Sequence, residues 1–298
     1  VIGKRRHLIP QQMIRRFVDG SGMLYCLDKS SGKILPKPKP PKSILYREDY
    51  YKGQFGDFDL ELLGPIENRF GKHFDKLVEA CVEHRTLPNK PSEAFVEWIL
   101  ALTVRTEYFE RIFEKLVLDQ EVEPPFDQVS LRPDILNDLR AELFDHQKEL
   151  FTSPRFCWQS ITITQSSFVL TDHPLLTQAS EDGTKLFICV PLTSKVMVIG
   201  GHPEALASPP MKNVAETNLN LTAHAGRYVY SGTRAELELL QRAIWGDDGR
   251  PLPGMDQVTK PYGGKLDQIP PDSGQDHWET WKRELGHPTP LSHKGVVS

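Results

Sequence analysis

Apolar residues recur along this chain with different periods, and each change of period predicts a change of architecture. Pro10 opens a short helix, because the fixed φ of proline suits a first helical turn and its missing N–H is not needed there. From it Met13, Ile14 and Phe17 make one apolar stripe, with His7 and Gln11 flanking the helix start and Arg15 and Arg16 off the stripe. Residues 23–27 read as a strand, Ser30-Ser31-Gly32 as a turn and Lys33-Ile34-Leu35 as the returning arm of a hairpin. Residues 36–42 form a basic, polyproline-like connector carrying Lys37 and Lys39, and residues 43–51 an extended, tyrosine-rich segment.

A helical period follows. Leu60, Leu63, Glu67, Phe70, Phe74, Leu77 and Cys81 are spaced alternately three and four apart, which is one face of a helix. Glu67 is the only charge on that stripe, and a carboxylate there must be paired, protonated or used. A second helix is expected over residues 92–119, capped by Ser92 and apolar almost all round from 94 to 104. Trp98, Leu102, Arg105 and Phe109 share one of its faces, so Arg105 has the same peculiarity as Glu67. A structural ion pair between the two helices is the plainest account of both. Residues 122–125 break the helix, and residues 133–151 supply a third, more exposed one.

From residue 156 the period falls to two, with strands expected at 156–164, 168–170, 186–192 and 196–199. A helix over 211–223 carries Asn218 and Asn220, residues 227–230 form a last strand, and 234–245 a last amphipathic helix. A small β-rich beginning, central helices and then a mainly antiparallel sheet with helices predict an α+β fold. Residues 1–245 are expected to form a single catalytic domain. Residues 246–298, rich in Gly, Pro and Asp, read as a tail that wraps the body or lies partly disordered, with Trp278 and Trp281 as its large anchors.

Composition narrows the class. Apolar residues make up 39% and charged residues 26% of the 298, as in an ordinary soluble protein, and no apolar run reaches the ~20 residues needed to span a bilayer. Charged residues lead straight into the opening motif, so no signal peptide is expected. Four scattered cysteines without C-x-x-C spacing fit free thiols in a cytoplasmic protein better than zinc ligands. Residues 1–52 carry twelve Lys and Arg against four Asp and Glu, whereas the remainder has twenty-four against thirty-six. A basic opening on an acidic body is either an anion-binding face, nucleic acid being the commonest large polyanion, or two halves that neutralise each other within one fold.

Several motifs occur in a fixed order: His-x-x-Pro-Gln at 7–11 with Arg16-Phe17 a turn later, then Leu24-Tyr25-Cys26-Leu27-Asp28-Lys29 followed by Ser31-Gly32-Lys33. Asp49-Tyr50-Tyr51, Pro65-Ile66-Glu67, Arg105, Leu170-Thr171-Asp172-His173-Pro174 and Asn218-Leu219-Asn220 continue the order. Over residues 5–232 the chain resembles an uncharacterised bacterial family, domain of unknown function 4238. What the resemblance implies is defence against phage, with members that act as DNA glycosylases on bulky modified cytosines.

The residues are then read against that expectation. Asp172 stands at the carboxyl end of an apolar strand, where side chains often enter a cleft, and Pro174 takes the backbone out of regular structure just after it. The alternative is that Asp172 caps a turn through main-chain bonds. In N-glycosidic cleavage positive charge develops on the sugar, and Asp172 or Glu67 could stabilise it or deprotonate a water. His7, Gln11, Asn218 and Asn220 suit hydrogen bonds to a base edge or an attached sugar. Arg105 suits a flanking phosphate, and His173 is either an acid–base group or a turn residue. Arg15, Arg16, Lys37 and Lys39 are candidates for the DNA backbone, the expected partner being double-stranded phage DNA with a flipped base. Tyr50, Tyr51, Phe55 or Trp158 could stack. No metal or cofactor is expected: H-E-x-x-H and H-x-H are missing, and without G-x-x-x-x-G-K-[ST], G-x-G-x-x-G or G-x-S-x-G, ATP hydrolysis, dinucleotide redox chemistry and standard serine hydrolysis are disfavoured. Two alternatives stay open: a metal-dependent defence nuclease, and a non-enzymatic sensor of nucleic acid or of a partner.

Overall fold

The computed structural model describes residues 5–48, 57–84, 87, 92–113, 128–153, 156–179, 186–206, 213–246 and 249–268. Tyr50, Tyr51, Phe55, the break at 122–125, Trp278 and Trp281 lie outside these residues. The fold is α+β, and the described strands pair in three sheets, every pair antiparallel. β1 (Arg5–His7) pairs with β4 (Tyr46–Glu48). The second sheet has the order β3 (Lys33–Ile34), β2 (Tyr25–Asp28), β10 (Tyr228–Ser231), β6 (Leu170–Thr171). The third runs β5 (Cys157–Thr162), β9 (Val196–Gly201), β8 (Leu186–Pro191), β7 (Leu176–Ala179). The expected hairpin at residues 23–35 is present, but it is not a separate β unit. Strands from far later in the chain, β10 and β6, complete its sheet.

The short opening helix is α1 (Gln11–Ile14), whose Met13 and Ile14 are fully buried with Phe17 beside them. The stripe beginning at Leu60 forms as α2 (Gly64–His84), preceded by a π-helical turn over Asp59–Leu63, and it buries Leu63, Phe70, Phe74 and Cys81. α3 (Glu93–Val104) is capped by the Ser92 side chain and buried at every position from 95 to 104, as its all-round apolarity requires. Phe70 and Phe74 of α2 meet the Trp98 ring at 5.2 Å each between centroids, and this aromatic seam joins the two helices. Glu97, the one carboxylate inside the buried run, is neutralised by Arg69 at 2.7 Å and by Lys148 at 2.8 Å from α5 (Gln128–Thr152).

The expected continuous helix over 92–119 is broken at residue 105. Arg140, buried on α5, donates its Nε–H to the Val104 carbonyl at 3.1 Å and so satisfies an acceptor that a longer helix would have used. The Thr106 hydroxyl faces the Phe109 N–H at 3.5 Å, and α4 (Glu107–Phe113) starts afresh. Arg105 therefore sits at a joint rather than inside a helix.

β9 is buried on all six residues, which explains its unbroken apolar run where a one-sided strand would alternate. Gly200 on this strand has no alternative: a Cβ there would lie 2.5 Å from the Phe156 ring and 2.8 Å from Trp158. After the short α6 (Pro203–Leu206), α7 (Val214–His224) is capped by Asn213, and the amphipathic α8 (Arg234–Ile244) buries Leu237, Leu240 and Ile244 against the second sheet. Residues 249–268 of the expected tail fold against the body through α9 (Asp256–Thr259) and a 3₁₀ turn that buries Tyr262.

Asn218 shows how α7 is tied in. It is fully buried; its Oδ1 accepts the Val169 N–H at 3.0 Å, and its Nδ2 donates to the Ser167 carbonyl at 2.8 Å and to Glu236 at 2.9 Å. Asn218→Ala would strand all three partners and is expected to lower stability by about 2–4 kcal/mol in urea denaturation.

Candidate functional site

The register of the second sheet gathers its chemistry at one end. β10 runs antiparallel to both neighbours, with Tyr228 opposite Asp28 and Val229 opposite Thr171. The ends of β2 and β6 and the start of β10 therefore coincide. The residues just beyond those ends are Lys29, Asp172 and Arg227.

Asp172 is half-buried, and its carboxylate is oriented by two successive main-chain donors. Oδ1 accepts the Gly226 N–H at 2.8 Å and Oδ2 the Arg227 N–H at 3.0 Å. Desolvation raises its carboxyl above the ordinary aspartate value, although the two N–H groups and Lys29 oppose that rise. Lys29 is buried, and its Nζ donates to the carbonyls of Ala223 at 3.2 Å, Ala225 at 2.7 Å and Lys260 at 3.0 Å. Burial pushes its ammonium down to about 7, with Asp172 pulling it back up. Lys29 thus fastens the end of α7 to the segment leading into Tyr262.

Tyr262 has φ +53°, followed by Gly263 and Gly264 at +65° and +70°. The left-handed region costs a side-chain-bearing residue about 1–2 kcal/mol, so the surroundings must hold Tyr262 there. They do so through its N–H on the Ala225 carbonyl at 2.9 Å and its ring against Tyr108, 5.0 Å between centroids.

Asp172, Gly226 and Tyr262 line an open pocket of about 520 Å³, together with Ser30, Glu107, Arg111, Arg227, Tyr228, Thr259 and Pro261. That volume accepts a small organic ligand. The solvent-facing cations are Arg111 and Arg227, whose side chains are 53% and 58% exposed. Arg227 pairs with Asp28 at 3.0 Å and lies over the Tyr228 ring at 4.8 Å, a cation–π contact. Arg111 pairs with Glu107 at 2.9 Å, and Glu107 also takes Arg47 at 3.2 Å.

The other expected site residues fall elsewhere. Glu67 forms an ion pair with the buried Arg105, which also reaches Asp59 at 3.4 Å; Asp59 in turn accepts Arg6 at 2.6 Å, and Arg6 also pairs with Asp57. The expected pairing of Glu67 with Arg105 is therefore present. His7 bonds Gln11 through its ring nitrogen at 2.8 Å, and Gln11 accepts Arg15 at 3.1 Å. None of Glu67, Arg105, His7 and Gln11 lines the Asp172 pocket. His173 is buried, with Nδ1 3.2 Å from the Thr106 hydroxyl and its ring on Tyr108. The joint at 105–107 therefore touches both clusters: Arg105 turns to the ion pairs and Glu107 to the pocket. Asn218 has its amide used internally, while Asn220 is half-buried on α7. Arg16 pairs with Asp75; Lys37 is exposed, and Lys39 is held by main-chain bonds to Leu24 at 2.7 and 2.9 Å. Trp158 packs in the core, its ring 5.1 Å from that of Phe95.

Lys29, Arg111, Arg227, Tyr228 and Tyr262 escape a reading of the sequence. Two signals are visible in retrospect: a lysine closing an apolar strand at Tyr25-Cys26-Leu27-Asp28-Lys29, and an aromatic set between turn residues in Pro261-Tyr262-Gly263-Gly264. All four cysteines are free, and burial raises the thiols of Cys26, Cys81 and Cys189, which makes them poor nucleophiles. Among the described residues no three of His, Cys, Asp and Glu are grouped as a metal site needs, and no helix is long and apolar enough to cross a membrane.

An α+β body with a carboxylate-floored pocket at the end of a sheet is the class that fold and geometry define. The chain belongs to the family described as protein of unknown function (DUF4238), whose model matches residues 5–235. No curated protein and no solved structure matches it.

Lys29 supplies a test of this geometry. Its folded-state pKa is about 7 against an ordinary 10.5, so between these values the unfolded chain holds a proton that the folded chain has released. The stability it contributes is present in full above about 10.5 and is lost as pH falls through about 7. Lys29→Met is expected to destabilise the protein by about 2–4 kcal/mol through the stranded carbonyls. Urea titrations should show its deficit relative to wild type widening as pH rises across that window; a constant or narrowing gap would contradict the assignment.

Proposed function

We propose that this protein is a DNA N-glycosylase of bacterial phage defence. In this reading it hydrolyses the bond between deoxyribose and a bulky modified cytosine, such as glucosylated hydroxymethylcytosine, and leaves an abasic site. One observation carries the proposal: Asp172, a carboxyl oriented by two main-chain N–H groups, on the wall of a pocket lined by tyrosines and faced by two arginines. The defence role and the modified base come from the family resemblance.

The chemistry suits these groups. As the base departs, positive charge grows at the anomeric carbon; a fixed carboxylate lowers the energy of that charge and takes a proton from the attacking water. Asp172 spends one lone pair of each oxygen on the backbone and keeps the others. Tyr228, half-buried beside the pocket, can take an extruded base against its ring, and Arg111 and Arg227 can neutralise the phosphates on either side of it. Glu67, bound to Arg105 and not among the residues lining the pocket, takes no part in this scheme, and Asp172 carries the chemistry.

The test is incubation with glucosylated hydroxymethylcytosine DNA and with unmodified DNA, scoring abasic sites and direct breaks with and without EDTA. Abasic sites in modified DNA only, insensitive to EDTA, are expected, with Asp172→Asn reducing turnover by ~10²–10⁴-fold. EDTA-sensitive breaks would instead identify a metal-dependent nuclease. Arg111→Gln should raise KM and lower the slope of log affinity against log salt by about one unit while leaving kcat nearly unchanged.

A further inference from the structure

The family match ends at residue 235, yet Thr259, Pro261 and Tyr262 wall the pocket. Resting on the hydrolytic reading above, we propose that Tyr262 is a second catalytic residue: its hydroxyl and the Asp172 carboxylate together hold the attacking water beside Gly226. The segment that follows the family region would then complete the active site.

Gly226 carries the argument. A Cβ built on it would lie 2.6 Å from the Tyr262 hydroxyl oxygen and 3.0 Å from Asp172 Oδ2. Both oxygens therefore converge on the one place along this turn where a side chain is missing, and a single water-sized group lying farther out can touch both. All three residues line the pocket, so that group is within reach of a ligand. The phenol is kept neutral, because burial raises its pKa and the neighbouring Asp172 raises it further. A neutral phenol oxygen can accept a hydrogen bond without competing for the proton.

Tyr262 is also held where a free chain would not leave it. Its left-handed backbone is fixed by its N–H on Ala225, by its ring on Tyr108 and, two residues earlier, by Lys29 on the Lys260 carbonyl. Lys29 is thus a positioning residue for both oxygens, binding the main chain on either side of them.

The step balances. The water donates one O–H to Asp172 Oδ2 and the other to Tyr262, leaving a lone pair to attack the anomeric carbon. As that C–O bond forms, the C–N bond breaks, the base departs with its electron pair, and Asp172 takes the proton from the water. That proton then passes to the departed base, so one water is consumed and the carboxylate is restored.

The test uses the full chain and Tyr262→Phe, which keeps the ring on Tyr108 and removes only the hydroxyl. Crystal structures that resolve ordered water should show one within hydrogen-bonding distance of both oxygens in the wild type and missing in the variant. On modified DNA the variant should lose about 10- to 100-fold in kcat with KM and urea midpoint unchanged. A wild-type structure without that water, a water that stays put in the variant, or an unchanged kcat would overturn the proposal. A wild type that binds the water but releases no base supports the water site and counts against the glycosylase reading alone.

Discussion

A buried ammonium and a half-buried carboxylate share the end of one sheet, and the site depends on how each is satisfied. Isolated charges in such a place are costly, and main-chain hydrogen bonds make them tolerable. Lys29 has three N–H groups and meets three carbonyls; Asp172 meets two adjacent N–H groups and feels the Lys29 charge. In meeting these needs the two side chains fix the main chain from Ala223 to Arg227 and the strap at Lys260. The pocket walls follow from that fixing. Tyr262 can occupy a left-handed conformation because the strap on which it sits is already tied.

A second set of charges sets the frame behind the pocket. Part of the basic opening of the chain is paired within the fold, Arg6 by Asp57 and Asp59, Arg16 by Asp75, and Arg47 by Glu107 and Glu110, while Arg15, Lys33, Lys37 and Lys42 are exposed. Lys29 is consumed by carbonyls. Through these pairs a share of the positive excess in residues 1–52 meets the acidic remainder of the chain inside one fold. The cations directed at solvent beside the pocket, Arg111 and Arg227, come from the acidic remainder of the chain.

Local pattern revealed those parts of the structure whose causes are local. The three-and-four spacing through Phe70 and Phe74, the unbroken apolar run of β9, the Ser92 cap and the position of Asp172 at a strand end were all legible, because period and capping act over a few residues. The break at Arg105 was not, since it depends on Arg140 reaching from another helix. Nothing near Lys29 in the chain marks it as buried, because its partners lie 194 to 231 residues further along. Tyr262 was hidden for a related reason: in a Gly- and Pro-rich tail without period, only tertiary contact shows that a residue is buried. In sequence Asn218 reads as a ligand-binding amide, and the structure places it where its hydrogen bonds join α7 to the segment leading into β6 and to α8.

The claim that connects these features is that a nucleotide enters the Asp172 pocket while its neighbouring phosphates rest on Arg111 and Arg227. The most direct measurement is a crystal structure of the full chain bound to duplex DNA containing a tetrahydrofuran abasic-site analogue. The account predicts the analogue's sugar ring facing Asp172 beside Gly226, with phosphates on both arginines. DNA lying along Arg15, Arg16 and Lys37 with no nucleotide in the pocket would contradict it, as would a failure of the protein to bind this DNA.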